Sequence, residues 1–159
     1  METNKDVTIL IVDDNKENLN VVGNIFKDLN YKLAFALNGA DALEILKTTP
    51  VTLILLDIMM PGMDGFEVCN TLKLDEKTRD IPVIFLTAKN DTDDIVTGFL
   101  IGGVDYVTKP FRKEELLVRV NNHLDLIKAR EIINYQAEEL RKSNKLLMGT
   151  IHDLGNLMK

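Results

Sequence analysis

Asp57 closes the apolar run Leu53-Ile54-Leu55-Leu56 and is followed by Ile58-Met59-Met60-Pro61-Gly62-Met63-Asp64-Gly65, where a proline and two glycines call for a sharp turn. A carboxylate at such a strand end is expected to be presented rather than buried. Three other apolar runs end the same way: Ile9-Leu10-Ile11-Val12 in Asp13-Asp14, Val83-Ile84-Phe85-Leu86 in Thr87, and Tyr106-Val107 in Thr108-Lys109-Pro110. In an open parallel sheet these carboxyl ends lie along one edge, where ligands bind, so three acids, a hydroxyl and a lysine should share one crevice. Carboxylates crowded together resist joint ionisation unless a cation sits among them. Magnesium suits the task, because it binds through one or two carboxylates and keeps waters and phosphoryl oxygens as its other ligands. Asp57 can then act as a nucleophile toward a phosphoryl group, giving an aspartyl phosphate. Metal and lysine would disperse the charge on the transferring oxygens, so that catalysis is positioning plus electrostatics. Taken singly, each residue has a plainer role: Asp13-Asp14-Asn15 could cap one helix, Thr87 another, and Lys109 could be a surface lysine before a turn.

The elements that must position these groups alternate in kind. Val7–Val12 reads as a buried strand and Asn15–Leu29 as a helix with Leu19, Val22, Phe26 and Leu29 on one face. Strands at Lys32–Ala36, Val51–Leu56, Ile81–Leu86 and Val104–Val107 then interleave with helices at Ala40–Lys47, Gly65–Leu72 and Asp93–Leu100. Five strands separated by helices imply a parallel sheet covered on both faces through right-handed crossovers. The expected architecture is α/β, flavodoxin-like and doubly wound, with strand order 2-1-3-4-5.

The acidic pair, the L-L-D-I-M-M-P-G-M-D-G run, the Thr87-Ala88 step and G-G-V-D-Y-V-T-K-P-F from Gly102 to Phe111, in that order, resemble the receiver domain of two-component response regulators over roughly residues 6 to 120. The resemblance implies that Asp57 is the phosphoacceptor, that Asp14 and Asp57 bind Mg2+ directly with the backbone carbonyl of Met59, and that Asp13 acts mainly through water. It further implies that Lys109 and Thr87 contact the phosphoryl oxygens, that Tyr106 turns inward behind Thr87 on phosphorylation, and that the Lys109-Pro110 bond is cis. The expected donor is the phosphohistidine of an upstream histidine kinase or phosphotransfer protein. Met59, two residues past Asp57, stands where it could hinder an attacking water. A haloacid-dehalogenase type of hydrolase would instead require a second Asp at that position.

A fifth helix is expected from near Arg112, and its pattern has no obvious stop. Ile133, Ala137, Leu140, Asn144, Leu147, Ile151, Leu154 and Met158 form a heptad seam. A helix over Glu115–Met158 would be about 65 Å long, more than one small domain can cover, so the seam needs a partner. A parallel two-stranded coiled coil making a homodimer is expected, with Asn144 specifying register. A solvated tail is the alternative, since Gly149 and Gly155 each cost about 1 kcal/mol in a helix. His152-Asp153-Leu154-Gly155-Asn156 resembles the H-box of histidine-kinase dimerisation helices, which would make His152 a second phosphoacceptor, although a Pro after Asn156 is missing. His123 lacks such a context. The expected division is a receiver at 1–120 and a coiled-coil signalling helix at 121–159, the start of a histidine-kinase dimerisation domain. An ATP-binding domain is not expected within these residues, so the chain as given is not expected to phosphorylate itself from ATP. A longer parent, a receiver-first histidine kinase, is the expected context, with a stand-alone response regulator or a coiled-coil adaptor as alternatives.

Composition narrows the field. A net charge of -6, with the acid excess confined to the part before Arg112, argues against a nucleic-acid surface. Cys69 is the sole cysteine and is expected to pack in a helix of a protein from a reducing compartment. No apolar stretch is long enough to span a membrane and the first residues lack a signal-peptide pattern, so a cytoplasmic location is expected.

Overall fold

The computed structural model describes residues 4–88 and 92–159. A 3-10 turn at Asn4–Asp6 leads into β1 (Thr8–Val12), α1 (Lys16–Phe26), β2 (Lys32–Ala36), α2 (Gly39–Thr48), β3 (Leu53–Asp57), α3 (Gly65–Leu74), β4 (Val83–Thr87), α4 (Thr92–Ile101), β5 (Asp105–Thr108) and α5 (Lys113–Leu157). The sheet is parallel throughout and ordered β2-β1-β3-β4-β5, the expected flavodoxin-like arrangement. It switches direction at β1, which pairs with both β2 and β3.

Burial follows the pairing. Every residue of β3 and β4 is buried, as are Ile9 to Val12 of β1, whereas the edge strand β2 buries only Ala36. These central strands read as unbroken Val/Ile/Leu runs because helices cover both faces. One core cluster brings Leu10, Val12, Ile54 and Leu56 together with Ala42 of α2 and Val68, Cys69 and Leu72 of α3. Cys69 is therefore a fully buried packing residue, as expected.

Element ends differ from the sequence expectation in instructive ways. Asn15 is the cap of α1, not its first residue, and its side chain accepts from the amides of Glu17 and Asn18. The helix stops at Phe26, three residues short, and the chain then turns through Asn30 in the left-handed region (φ 60). The strand expected from Val51 begins at Leu53, and Thr52 just before it accepts the Thr8 amide on its hydroxyl oxygen. It also runs one residue further and includes Asp57 itself.

The chain divides into two compact units, Met1–Val120 and Asn121–Lys159. The second unit is helical to Leu157, and Ile133, Leu140, Leu147, Ile151 and Leu154 of its seam are all exposed. Among the described residues no helix is long and apolar enough to cross a membrane.

Candidate functional site: an acidic crevice at the carboxyl end of the sheet

Each residue singled out at a strand end is tied to the sheet by its own backbone. The Asp13 amide donates to the Ala36 carbonyl (3.1 Å) and the Lys109 amide to the Thr87 carbonyl (2.8 Å). On the far side of Asp57, the Ile58 amide donates to Leu86 (3.1 Å) and the Gly65 amide closes the turn onto the Ile58 carbonyl (2.9 Å). Gly62 takes a positive φ of 73 in that turn. Gly65 allows the start of α3 to lie against β3: a Cβ there would overlap the Asp57 carbonyl oxygen and come within 2.8 Å of the Ile58 Cα. Asp64 then caps α3 by accepting from the Glu67 amide at 2.9 Å.

Carboxylate oxygens of Asp13, Asp14 and Asp57 all lie within 4.8 Å of one another. Lys109 joins them, its Nζ standing 2.9 Å from Asp13 Oδ2 and 3.0 Å from Asp57 Oδ1. Asp13 is further held by the Asn15 amide on Oδ1 (2.9 Å) and by Asn18 Nδ2 on Oδ2 (3.1 Å). Thr87 is buried at the end of β4 and its hydroxyl donates to the neighbouring Ala88 carbonyl at 3.2 Å. The four strand-end signals thus converge. Lys109 is a half-buried partner of two carboxylates rather than a surface lysine, and Asn15, not the acids, caps α1.

One expectation is corrected. Asp57 is not presented to solvent; it is only 3% exposed, as is Asp13 at 1%, while Asp14 is exposed. Asp57 belongs to the fully buried central strand β3, and Lys109 reaches back from the end of β5 to both buried carboxylates, a pairing that could not be placed by reading β3 alone. Met59 is 71% exposed.

Among the described residues the electrostatics are unbalanced, with three carboxylates around the Lys109 ammonium. Burial pushes the Asp57 carboxyl up, and the Lys109 hydrogen bond only partly offsets this against the charge of Asp13 and the proximity of Asp14, leaving Asp57 raised to about 6. Lys109 loses solvation too, but its hydrogen bonds to Asp13 and Asp57 outweigh that and hold its ammonium above the ordinary range. The cluster offers only oxygen donors and carries excess negative charge, which fits a hard divalent cation such as Mg2+.

Tyr106 is half-buried on β5, edge-on to Phe99 with ring centroids 6.1 Å apart. The Lys109-Pro110 peptide is cis, as the resemblance implied. His152 lies in the second unit, exposed, with its Nε2 3.2 Å from Asn156 Nδ2 one helical turn on. Sequence reasoning missed Asn18, which, three residues past a helix cap, could have been found as a side chain facing back toward Asp13.

The fold and this crevice define a receiver module, and comparison agrees. The chain belongs to the response regulator receiver domain family, whose model matches residues 9–121. It is 42% identical over 151 residues to a probable cyclic di-GMP phosphodiesterase of Vibrio cholerae, covering 92% of this chain and 34% of that protein. It is also 42% identical over 122 residues to the probable transcriptional regulator ycf27 of Cyanidium caldarium, covering 77% of this chain and 48% of the other. The chain therefore spans half the length or less of these curated relatives. Among solved structures it resembles the receiver domain of a signal transduction histidine kinase from Syntrophus aciditrophicus, with 34% identity, a TM-score of 0.71, and coverage of 77% of this chain and 92% of that one.

Proposed function

We propose that this chain is a phosphoacceptor module in which Asp57 takes a phosphoryl group from a phosphohistidine in the presence of Mg2+, and that the second unit passes the change on as a dimeric coiled coil. The observation that carries the reading is the meeting of Asp13, Asp14 and Asp57 within 4.8 Å with Lys109 bridging the two buried members. Asp14 and Asp57, with the Met59 carbonyl, would hold the cation, and Asp13 would act through water. When bound, the cation supplies countercharge to the carboxylates and to the phosphoryl oxygens.

The remaining work falls to the chain's own groups. Asp57 attacks phosphorus, forming an O–P bond as the N–P bond of the donor breaks, and the bonding pair returns to the leaving imidazole nitrogen, which takes up a proton. Lys109 exchanges its contact with Asp57 for one with a phosphoryl oxygen. Thr87 turns its hydroxyl from the Ala88 carbonyl to another of these oxygens, vacating the space that Tyr106 then takes. The energy needed is small, since a modest difference in affinity between two packed states shifts a population. Intact-mass measurement with Mg2+ and phosphoramidate, whose P–N bond imitates phosphohistidine, tests the proposal. A gain of one phosphoryl, lost with a chelator and lost in Asp57→Asn, is expected; a gain that survives Asp57→Asn contradicts it.

For the second unit, the exposed seam of Ile133, Leu140, Leu147, Ile151 and Leu154 supports association with a second copy, with Asn144 setting register. Two outputs then stand. The resemblance of His152 and Asn156 to an H-box supports the first part of a receiver-first histidine kinase, with His152 as a second phosphoacceptor. The similarity to the Vibrio phosphodiesterase over 92% of this chain, which exceeds the receiver, supports a helix that joins a receiver to some other effector, as in a response regulator. Phosphotransfer from a labelled kinase catalytic domain to His152, abolished in His152→Ala, would decide for the first.

A further inference from the structure

On β5, the Tyr106 ring meets side chains of two helices. Arg119, in the second turn of α5, places its guanidinium carbon 5.6 Å from the centroid of the Tyr106 ring, while Phe99 of α4 approaches the same ring edge-on. Nη1 of Arg119 donates to Asp105 Oδ1 at 2.8 Å, and that same oxygen accepts the Tyr106 amide at 2.8 Å. One carboxylate therefore anchors both the backbone of Tyr106 and the cation that lies over its ring. Glu115, a turn earlier, is 3.8 Å from Arg119 Nε, too far for a hydrogen bond, and that buried nitrogen has no acceptor among the described residues. An arginine placed only for charge pairing would satisfy this donor. Here the planar group gives it up to lie over the ring, an arrangement in which cation and aromatic face attract.

We infer that Arg119 is the positioning residue for Tyr106: its guanidinium holds the ring in the half-exposed orientation and opposes the inward turn that follows phosphorylation of Asp57. The inference rests on the proposed phosphoacceptor reading and deepens it, because it names what sets the resting balance between the two orientations. Turning inward strips the ring from the guanidinium, so the inward state forms only at the expense of this contact. Removing the guanidinium should release Tyr106 before any phosphoryl group arrives and should make the site easier to activate, since stabilising one state less is equivalent to favouring the other.

The test uses the full chain labelled with 3-fluorotyrosine, the Tyr106 resonance being assigned as the one missing from Tyr106→Phe. Beryllium fluoride with Mg2+ is the probe, as a phosphoryl mimic. In Arg119→Ala and in Arg119→Met, which keeps the apolar stem, the resting Tyr106 resonance is expected to move toward the position wild type reaches at saturating probe. Half-saturation is expected to fall by about two- to thirty-fold, the range a cation–π contact spans. Asp105→Asn, which loosens the anchor without touching the ring, should shift both in the same direction and less. If wild type responds to the probe and a folded Arg119→Met shows the wild-type resonance and midpoint, Arg119 does not position Tyr106 and the phosphoacceptor reading stands. If wild type shows no response at all, both fall.

Discussion

At the scale of the residue, Asp57 is held in a state it disfavours. Its neighbours outnumber Lys109 in charge, and burial leaves its carboxyl raised to about 6. A group whose pKa is higher in the folded than in the unfolded chain contributes its full stability below the unfolded value and loses it as pH rises through the folded one. Metal-free wild type is therefore expected to lose stability between about pH 4 and 6 relative to Asp57→Asn. Above that window the variant should be more stable by about 2–3 kcal/mol in denaturant titrations, and the two curves should converge near pH 4. Equal stabilities at pH 7 would contradict the buried, crowded carboxylate. The same proton must leave before Asp57 can ligate a cation, so Mg2+ affinity should fall as pH drops below 6, with proton release on binding. Lys109→Met removes the ammonium that bridges two buried acids and is expected to cost about 3 kcal/mol at pH 7, because those carboxylates lose their countercharge. Thermal melts of the variant at pH 5 and pH 7 check this, the loss being smaller at pH 5, where Asp57 is protonated.

At the scale of the element, the strands carry the functional groups and the turns aim them. Much of this could be read in advance: the four strand-end signals and the alternation of strand and helix follow from apolar runs bounded by Gly, Pro and Asp, and the order 2-1-3-4-5 is that of the known flavodoxin-like sheet. What could not be read was closure from another element. The pairing of Asp57 depends on Lys109 at the end of β5, and the hold on Asp13 depends in part on Asn18 of α1. The end of α1 was misplaced because Leu29 continues the apolar repeat although the helix has already stopped at Phe26. Gly65 offers a test at this scale. Its missing Cβ lets α3 start against the Asp57 carbonyl, so Gly65→Ala must push the β3–α3 turn away from the crevice. A loss of about 2 kcal/mol or more is expected, together with slower phosphorylation at Asp57 under conditions where the variant is fully folded. An unchanged rate in the folded variant would mean that the turn does not aim the carboxylate.

At the scale of the whole molecule, the receiver unit and the helical unit differ in what they still need. The first has a closed core; the second exposes Leu140 (62%), Leu147 (58%) and Ile151 (62%) along one seam. Sedimentation should show a dimer for the full chain. Asn144→Leu should raise the melting temperature of the helical unit while admitting higher oligomers, since a polar residue at a core position specifies strand number at a cost in stability. A chain that remains monomeric at every concentration would remove the coiled coil from the account. The central claim concerns Asp57, and borohydride reduction after incubation with Mg2+ and phosphoramidate tests it most directly, because an acyl phosphate is reduced to an alcohol at the residue that carried it. Peptide mass mapping is expected to find homoserine at position 57 and nowhere else. An unreduced Asp57 in a chain that has gained a phosphoryl group would contradict the claim.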